Sequence, residues 1–106
     1  MKQKIEVEIA SEGTFRVRVI EGETETLHAV TLKQADYERI SGGKIEPAEL
    51  VRMAFEFLLE NEPKESILGR FDLPLIGRYF PNFEPEIGRR LASRSPRWEP
   101  HRSRRI

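Results

Sequence analysis

Residues 4–20 constrain the fold more than any other stretch. Ile5, Val7 and Ile9 alternate with Lys4, Glu6 and Glu8, and Phe15, Val17 and Val19 alternate with Arg16 and Arg18. Period-two alternation places successive side chains on opposite faces of a strand. Ser11-Glu12-Gly13 lies between the two runs, with a glycine where a tight turn needs positive φ. A hairpin closed by that three-residue loop pairs residues whose numbers sum to 24. Ile9 then faces Phe15, Val7 faces Val17 and Ile5 faces Val19, while Glu8 meets Arg16 and Glu6 meets Arg18. One register satisfies the apolar face and the charged face together, and a slip by one residue would spoil both.

Glu21-Gly22-Glu23-Thr24 is a second turn, leading to a third strand over about Glu25–Leu32. The facing of that strand is ambiguous, because Leu27, Ala29, Val30 and Leu32 do not alternate. Thr31 with Gln34 three residues on matches a capping box, so a helix is expected over about Leu32–Ile40, stopped by Ser41-Gly42-Gly43. Pro47 suits the first turn of a longer helix running to about Glu60. Leu50, Val51, Ala54, Phe55, Leu58 and Leu59 form its apolar stripe, flanked by Met53 and Phe57, and mark the centre of the core. Asn61-Glu62-Pro63 breaks that helix, and a short one is expected over Lys64–Gly69. Asp72 is placed to cap another over Leu73–Phe80, and Glu84-Pro85-Glu86 to open a last one ending near Ala92.

The expected fold is therefore α+β, a three-stranded antiparallel β-meander followed by four or five α-helices packed on one face. Residues 1–92 read as a single domain, in line with usual domain sizes. The edge near Ile5 or the one near Leu27 stays open and is available for pairing between subunits.

Charge separates the chain into unlike parts. The 18 basic and 18 acidic side chains cancel over the whole sequence. Residues 1–50 hold 7 basic and 10 acidic groups, residues 51–90 hold 6 and 7, and residues 91–106 hold 5 and 1. The net charges are −3, −1 and +4. With its prolines, serines and arginines, the segment 93–106 has too little apolar surface to order itself, and it reads as a disordered basic tail.

Functional chemistry is sparse. The chain has no cysteine, which excludes disulfides, thiol nucleophiles and Cys-ligated metals. No P-loop or G-x-S-x-G motif occurs, and Gly42-Gly43-Lys44 follows a helix rather than a strand, as a helix terminator does. His28 and His101 are too far apart in the reading to share a metal, and Arg16 and Arg18 neutralise the Glu6–Glu8 pair. No catalytic residue, metal site, cofactor or small-molecule substrate is expected. The charged start and the absence of a long apolar run point to a cytoplasmic protein without a membrane span.

Two segments remain. Arg70–Phe83 packs four aromatics and two arginines into fourteen residues. Such enrichment marks interface centres, and Arg70, Phe71, Arg78, Tyr79 and Phe83 are the candidate partner-binding residues. The plainer alternative is a second small core of Phe71, Leu75, Ile76, Phe80 and Phe83. In the tail, Arg94, Arg97, Trp98, Arg102, Arg104 and Arg105 could hold phosphates and stack on a base, giving nucleic-acid affinity rather than sequence selectivity. The expected function is a non-enzymatic interaction or regulatory module with a protein partner or a second copy. The alternative is a nucleic-acid-associated protein acting through the tail.

The run Phe55-Glu56-Phe57-Leu58-Leu59-Glu60-Asn61-Glu62-Pro63-Lys64-Glu65-Ser66-Ile67-Leu68, followed by Phe71-Asp72-Leu73-Pro74-Leu75-Ile76-Gly77-Arg78-Tyr79-Phe80-Pro81, resembles a family of small bacterial proteins without an assigned activity. His28–Leu32 and Ser41–Ile45 are similar to the same family, so the resemblance spans residues 25–90. It implies a bacterial cytoplasmic origin and no site residues. In architecture alone, a meander followed by a helix is similar to the start of HicB-type antitoxins. That family's fourth strand and separate DNA-binding domain have no counterpart in the reading, and no residue is carried over.

Overall fold

The structure, a computed structural model, describes residues 3–94, with side chains as far as Ser93. β1 (Gln3–Ser11) and β2 (Thr14–Glu21) form the hairpin in the expected register, from Gln3 opposite Glu21 to Ile9 opposite Phe15. A bulge at Ala10 then shifts the pairing to Ser11 opposite Thr14, so the turn tightens to Glu12-Gly13. Gly13 takes φ +77°, and its carbonyl accepts the Leu32 amide at 2.9 Å. On the solvent face Arg16 reaches Glu8 at 3.3 Å and Arg18 reaches Glu6 at 3.8 Å. These pairs are exposed, so their main effect is on register.

β3 (Thr24–Thr31) continues the meander and resolves the ambiguous facing. Leu27 lies opposite Arg18 and is 57% exposed, whereas His28 lies opposite Val17 and is 3% exposed. The strand turns its histidine, not its leucine, toward the core.

The sheet has four strands, not three, in the order β1-β2-β3-β4. β4 (Arg70–Asp72) runs parallel to β3, with Ala29, Val30 and Thr31 opposite Arg70, Phe71 and Asp72. Three residues are too few to show an alternation, which is why the sequence pattern conceals this strand. β4 also explains two caps that do not form. Thr31 ends β3 instead of opening a helix, and Asp72 ends β4, and the Thr31 hydroxyl donates to Asp72 Oδ1 at 2.6 Å. Each residue uses on the other the side chain expected to cap a helix.

α1 (Gln34–Ser41) accordingly begins later than expected, after Lys33, and without a side-chain cap. Gly42 closes it at φ +66°, donating its amide to Glu38 O at 2.8 Å. α2 (Pro47–Asn61) has Pro47 in its first turn and buries Leu50, Val51, Met53, Ala54, Phe55, Phe57 and Leu58. The stretch expected as a helix over Lys64–Gly69 shortens to a 3-10 turn at Lys64–Ser66. Leu73–Leu75 is a second 3-10 turn, leading into the single-turn α3 (Ile76–Tyr79). α4 (Phe83–Arg94) runs two residues past the expected end of the domain and buries Phe83, Ile87 and Leu91 at successive i, i+4 positions.

The core is one cluster between the sheet and the helices. Ile9 departs from its hairpin partners: it is exposed although Phe15 opposite it is buried. It lies at the bulged end of the edge strand, where it borders an open cleft beside Tyr37 and Pro47. Among the described residues, no helix is long and apolar enough to cross a membrane.

Candidate functional site

Between the C-terminal turn of α2 and α3 lies a groove of about 360 Å³. Leu58 comes from α2 and Glu62 from the residue that caps its end, Ser66, Ile67 and Leu68 from the link to β4, and Phe71 from β4 itself. Leu75, Ile76, Tyr79 and Phe80 form the opposite wall. The volume and apolar lining fall within the range of ligand and peptide sites. Leu68 and Tyr79 stand at its rim with 48% and 66% of their surface exposed.

The rim is held from below. His28 Nδ1 lies 2.8 Å from the Leu68 carbonyl, which can only accept, so Nδ1 carries a proton and donates it. Nε2 lies 2.9 Å from the Thr26 hydroxyl, and in this tautomer the hydroxyl donates to it. The imidazole packs against Phe55 at 5.2 Å between ring centroids, and Phe55 packs against Phe71 at 6.0 Å. With both nitrogens bonded, His28 positions the rim and offers no free ligand atom. Among the described residues, no group of three or more His, Cys, Asp or Glu side chains is arranged to hold a metal.

Lys64 anchors the other end of the link. Its side chain is 2% exposed, and its ammonium donates to Glu65 at 2.6 Å and reaches Glu21 at 3.3 Å. Gln3 also donates to Glu21, at 2.5 Å, so the starts of β1 and the 3-10 turn are tied to the end of β2. Hydrogen bonding by Glu65 and then Glu21 holds the Lys64 ammonium above the usual lysine range. Gln3 and Lys64 lower the carboxyl of Glu21, and Lys64 and a backbone amide lower that of Glu65. On α4, Arg90 and Arg89 lower the carboxyl of Glu86. Arg90 also reaches Glu60 at 2.6 Å and lies over the Phe57 ring at 5.9 Å.

These shifts set a pH dependence with a definite sign. Glutamates whose carboxyls are lowered on folding contribute stability that is complete above the ordinary glutamate range. That contribution is lost as pH falls through the range toward their folded values. The Lys64 contribution is complete below the ordinary lysine range and is lost as pH rises through it. The urea midpoint is therefore expected to be flat near neutrality and to fall below about pH 5. Glu21→Gln should flatten that acid limb, and an unchanged limb would show that the Glu21 hydrogen bonds do not form.

The structure divides the five expected partner-binding residues. Arg70, Arg78 and Tyr79 are exposed, and neither arginine makes an ion pair among the described residues. Phe83 is fully buried in the core and presents no surface, and Phe71, 8% exposed, shows only where it lines the groove. Tyr79 and Phe71 border the groove. Arg78 faces a neighbouring cleft of about 570 Å³ that shares Leu75 with it. Arg70 is on neither lining and lies across from Ala29 on the sheet. Leu68, Ile67, Glu62 and the Lys64 clamp were not legible as site residues, because Lys64–Gly69 reads as an ordinary surface helix. Arg94 ends α4, and its side chain is not described. Arg97, Trp98, Arg102, Arg104 and Arg105 lie outside the described residues, as does the expected disorder of the tail.

No family model, curated protein or solved structure matches the chain.

Proposed function

We propose that the protein is a non-enzymatic interaction module that takes a short apolar segment of a partner protein into the groove between α2 and α3. The observation that carries this reading is the pair Leu68 and Tyr79, large apolar groups left exposed on either side of an apolar channel. Exposed aromatics over a desolvated pocket are characteristic binding hot spots. Polar groups at and beside the groove supply orientation. Glu62 in the lining suits a donor, and Arg78, on the adjoining cleft that shares Leu75, suits a carboxylate where the segment leaves the groove. The partner is thus a peptide with apolar anchors between an acidic and a basic or amide-bearing residue.

Selection from a random peptide library displayed on phage tests this. Peptides of that pattern should be enriched, and Tyr79→Ala should weaken them at least about tenfold. Tyr79 is exposed, so the substitution should leave the melting temperature nearly unchanged. Absence of enrichment, or enriched peptides indifferent to Tyr79→Ala, would refute the reading.

A further inference from the structure

β1 is hydrogen-bonded to β2 on one side only, so its other edge is unpaired among the described residues. Exposed edges are usually protected by proline, by charged side chains, by inward-pointing charge or by a bulge. From Gln3 to Ile9, β1 has no proline and no inward charge: its core-side positions are Gln3, Ile5, Val7 and Ile9, the last of them exposed, and its outward charges, Lys4, Glu6 and Glu8, are of both signs. The single bulge lies beyond that run, between Ile9 and Ser11.

The outward charges of this strand are self-complementary. About Ile5, Lys4 stands one residue before and Glu6 one residue after, and the sequence continues the pattern with Lys2 and Glu8 at three before and three after. An antiparallel copy related by a two-fold axis through Ile5 therefore places each Lys4 opposite the partner's Glu6. An axis at Glu6 would set that glutamate against itself, and one at Val7 would set Glu6 against Glu8 twice. Odd registers would set charged side chains opposite apolar ones. Each Glu6 already lies 3.4 Å from Lys4 and 3.8 Å from Arg18 of its own chain, and the pairing would bring the second copy's Lys4 to its open side as well. Along the same edge an open cleft of about 330 Å³ leaves part of Leu59 uncovered beside Ile5, where the second copy would close it.

We propose that the protein forms a two-fold homodimer by antiparallel pairing of β1 about Ile5, joining two four-stranded sheets into one. This is independent of the groove.

Sedimentation equilibrium on the full chain, with two charge reversals, tests it. The wild type should approach twice its 12.4 kDa mass as concentration rises. Lys4→Glu alone and Glu6→Lys alone should each raise the dissociation constant about tenfold, because the symmetry repeats each like-charge pair. Mixing the two variants should restore association as a heterodimer, in which every reversed charge again faces its opposite. Glu6→Lys also removes the ion pairs with Arg18 and Lys4 of its own chain, and Lys4→Glu removes the second of these; both pairs are exposed and of small effect. A wild type that stays at 12.4 kDa, single variants that dimerise as well as wild type, or a mixture that does not recover would each overturn the proposal. If either variant fails to fold, amide exchange of the wild type decides. β1 amides should exchange more slowly on concentration, and concentration-independent exchange would overturn the proposal.

Discussion

Phe57→Ala is expected to lower the stability of the protein by about 3–5 kcal/mol. Phe57 is buried on α2, where it joins the two halves of the helical layer. Its ring meets Phe80 edge-on at 5.8 Å and 83°, and Phe83 at 5.3 Å and 58°. The Arg90 guanidinium covers its remaining side at 5.9 Å. Truncation removes the transfer energy of a whole ring. It leaves a cavity whose walls belong to α2, α3 and α4, and these cannot all close on it. A domain of this size is stable by about 5–15 kcal/mol, so the variant would lose about a fifth or more of the total. Phe80 is also a wall of the groove, so the loss should weaken peptide binding as well. Phe57→Leu, which refills most of the volume, should cost clearly less in both respects. Urea unfolding of the two variants checks the ranking. A loss under about 1 kcal/mol for alanine would mean that the helices do not pack through this ring.

Where two independent constraints coincide, the sequence reveals structure directly. The β1–β2 register satisfies an apolar face and a charged face at once, and from Gln3 to Ile9 it is found as expected. β3 offers only one constraint, and hydropathy misleads there. A leucine faces water and a histidine faces the core, because the histidine's two nitrogens have partners on Leu68 and Thr26. One of those partners is forty residues away, and no local pattern contains it. The same holds for Thr31 and Asp72, whose local context suggests helix caps and whose hydrogen bond joins β3 to β4. In the Arg70–Phe83 segment composition marks the right neighbourhood. The chain there passes through a strand, a 3-10 turn and a single helical turn within ten residues. No single period sorts the aromatics in such a stretch, so Phe71 and Phe83 turn inward while Tyr79 turns out. Lys64 is missed for a different reason. A lysine is ordinarily exposed, and only Glu21 and Glu65 make its burial affordable.

His28→Leu is expected to cost about 1–3 kcal/mol, although leucine is the more apolar residue. The substitution strands the Thr26 hydroxyl and the Leu68 carbonyl, each of which now has an imidazole nitrogen as partner. Leu68 lies near solvent, so its carbonyl can recruit water and the cost should fall in the lower part of that range. The Thr26 hydroxyl is the harder of the two to satisfy. Thr26→Val alone should cost less, since it leaves only one lone pair of the ring unbonded. The double variant should cost less than the two single losses added together, because removing both partners leaves no stranded hydroxyl. A coupling of at least about 0.5 kcal/mol is expected. Beyond stability, the rim of the groove should loosen. Exchange of the Ala29 amide, which donates to the Gly69 carbonyl at 2.8 Å, should accelerate in His28→Leu and much less in Thr26→Val. Strictly additive single and double variants, with unchanged exchange at the rim, would show that His28 merely fills space against Phe55. The two hydrogen bonds would then have no part in positioning Leu68.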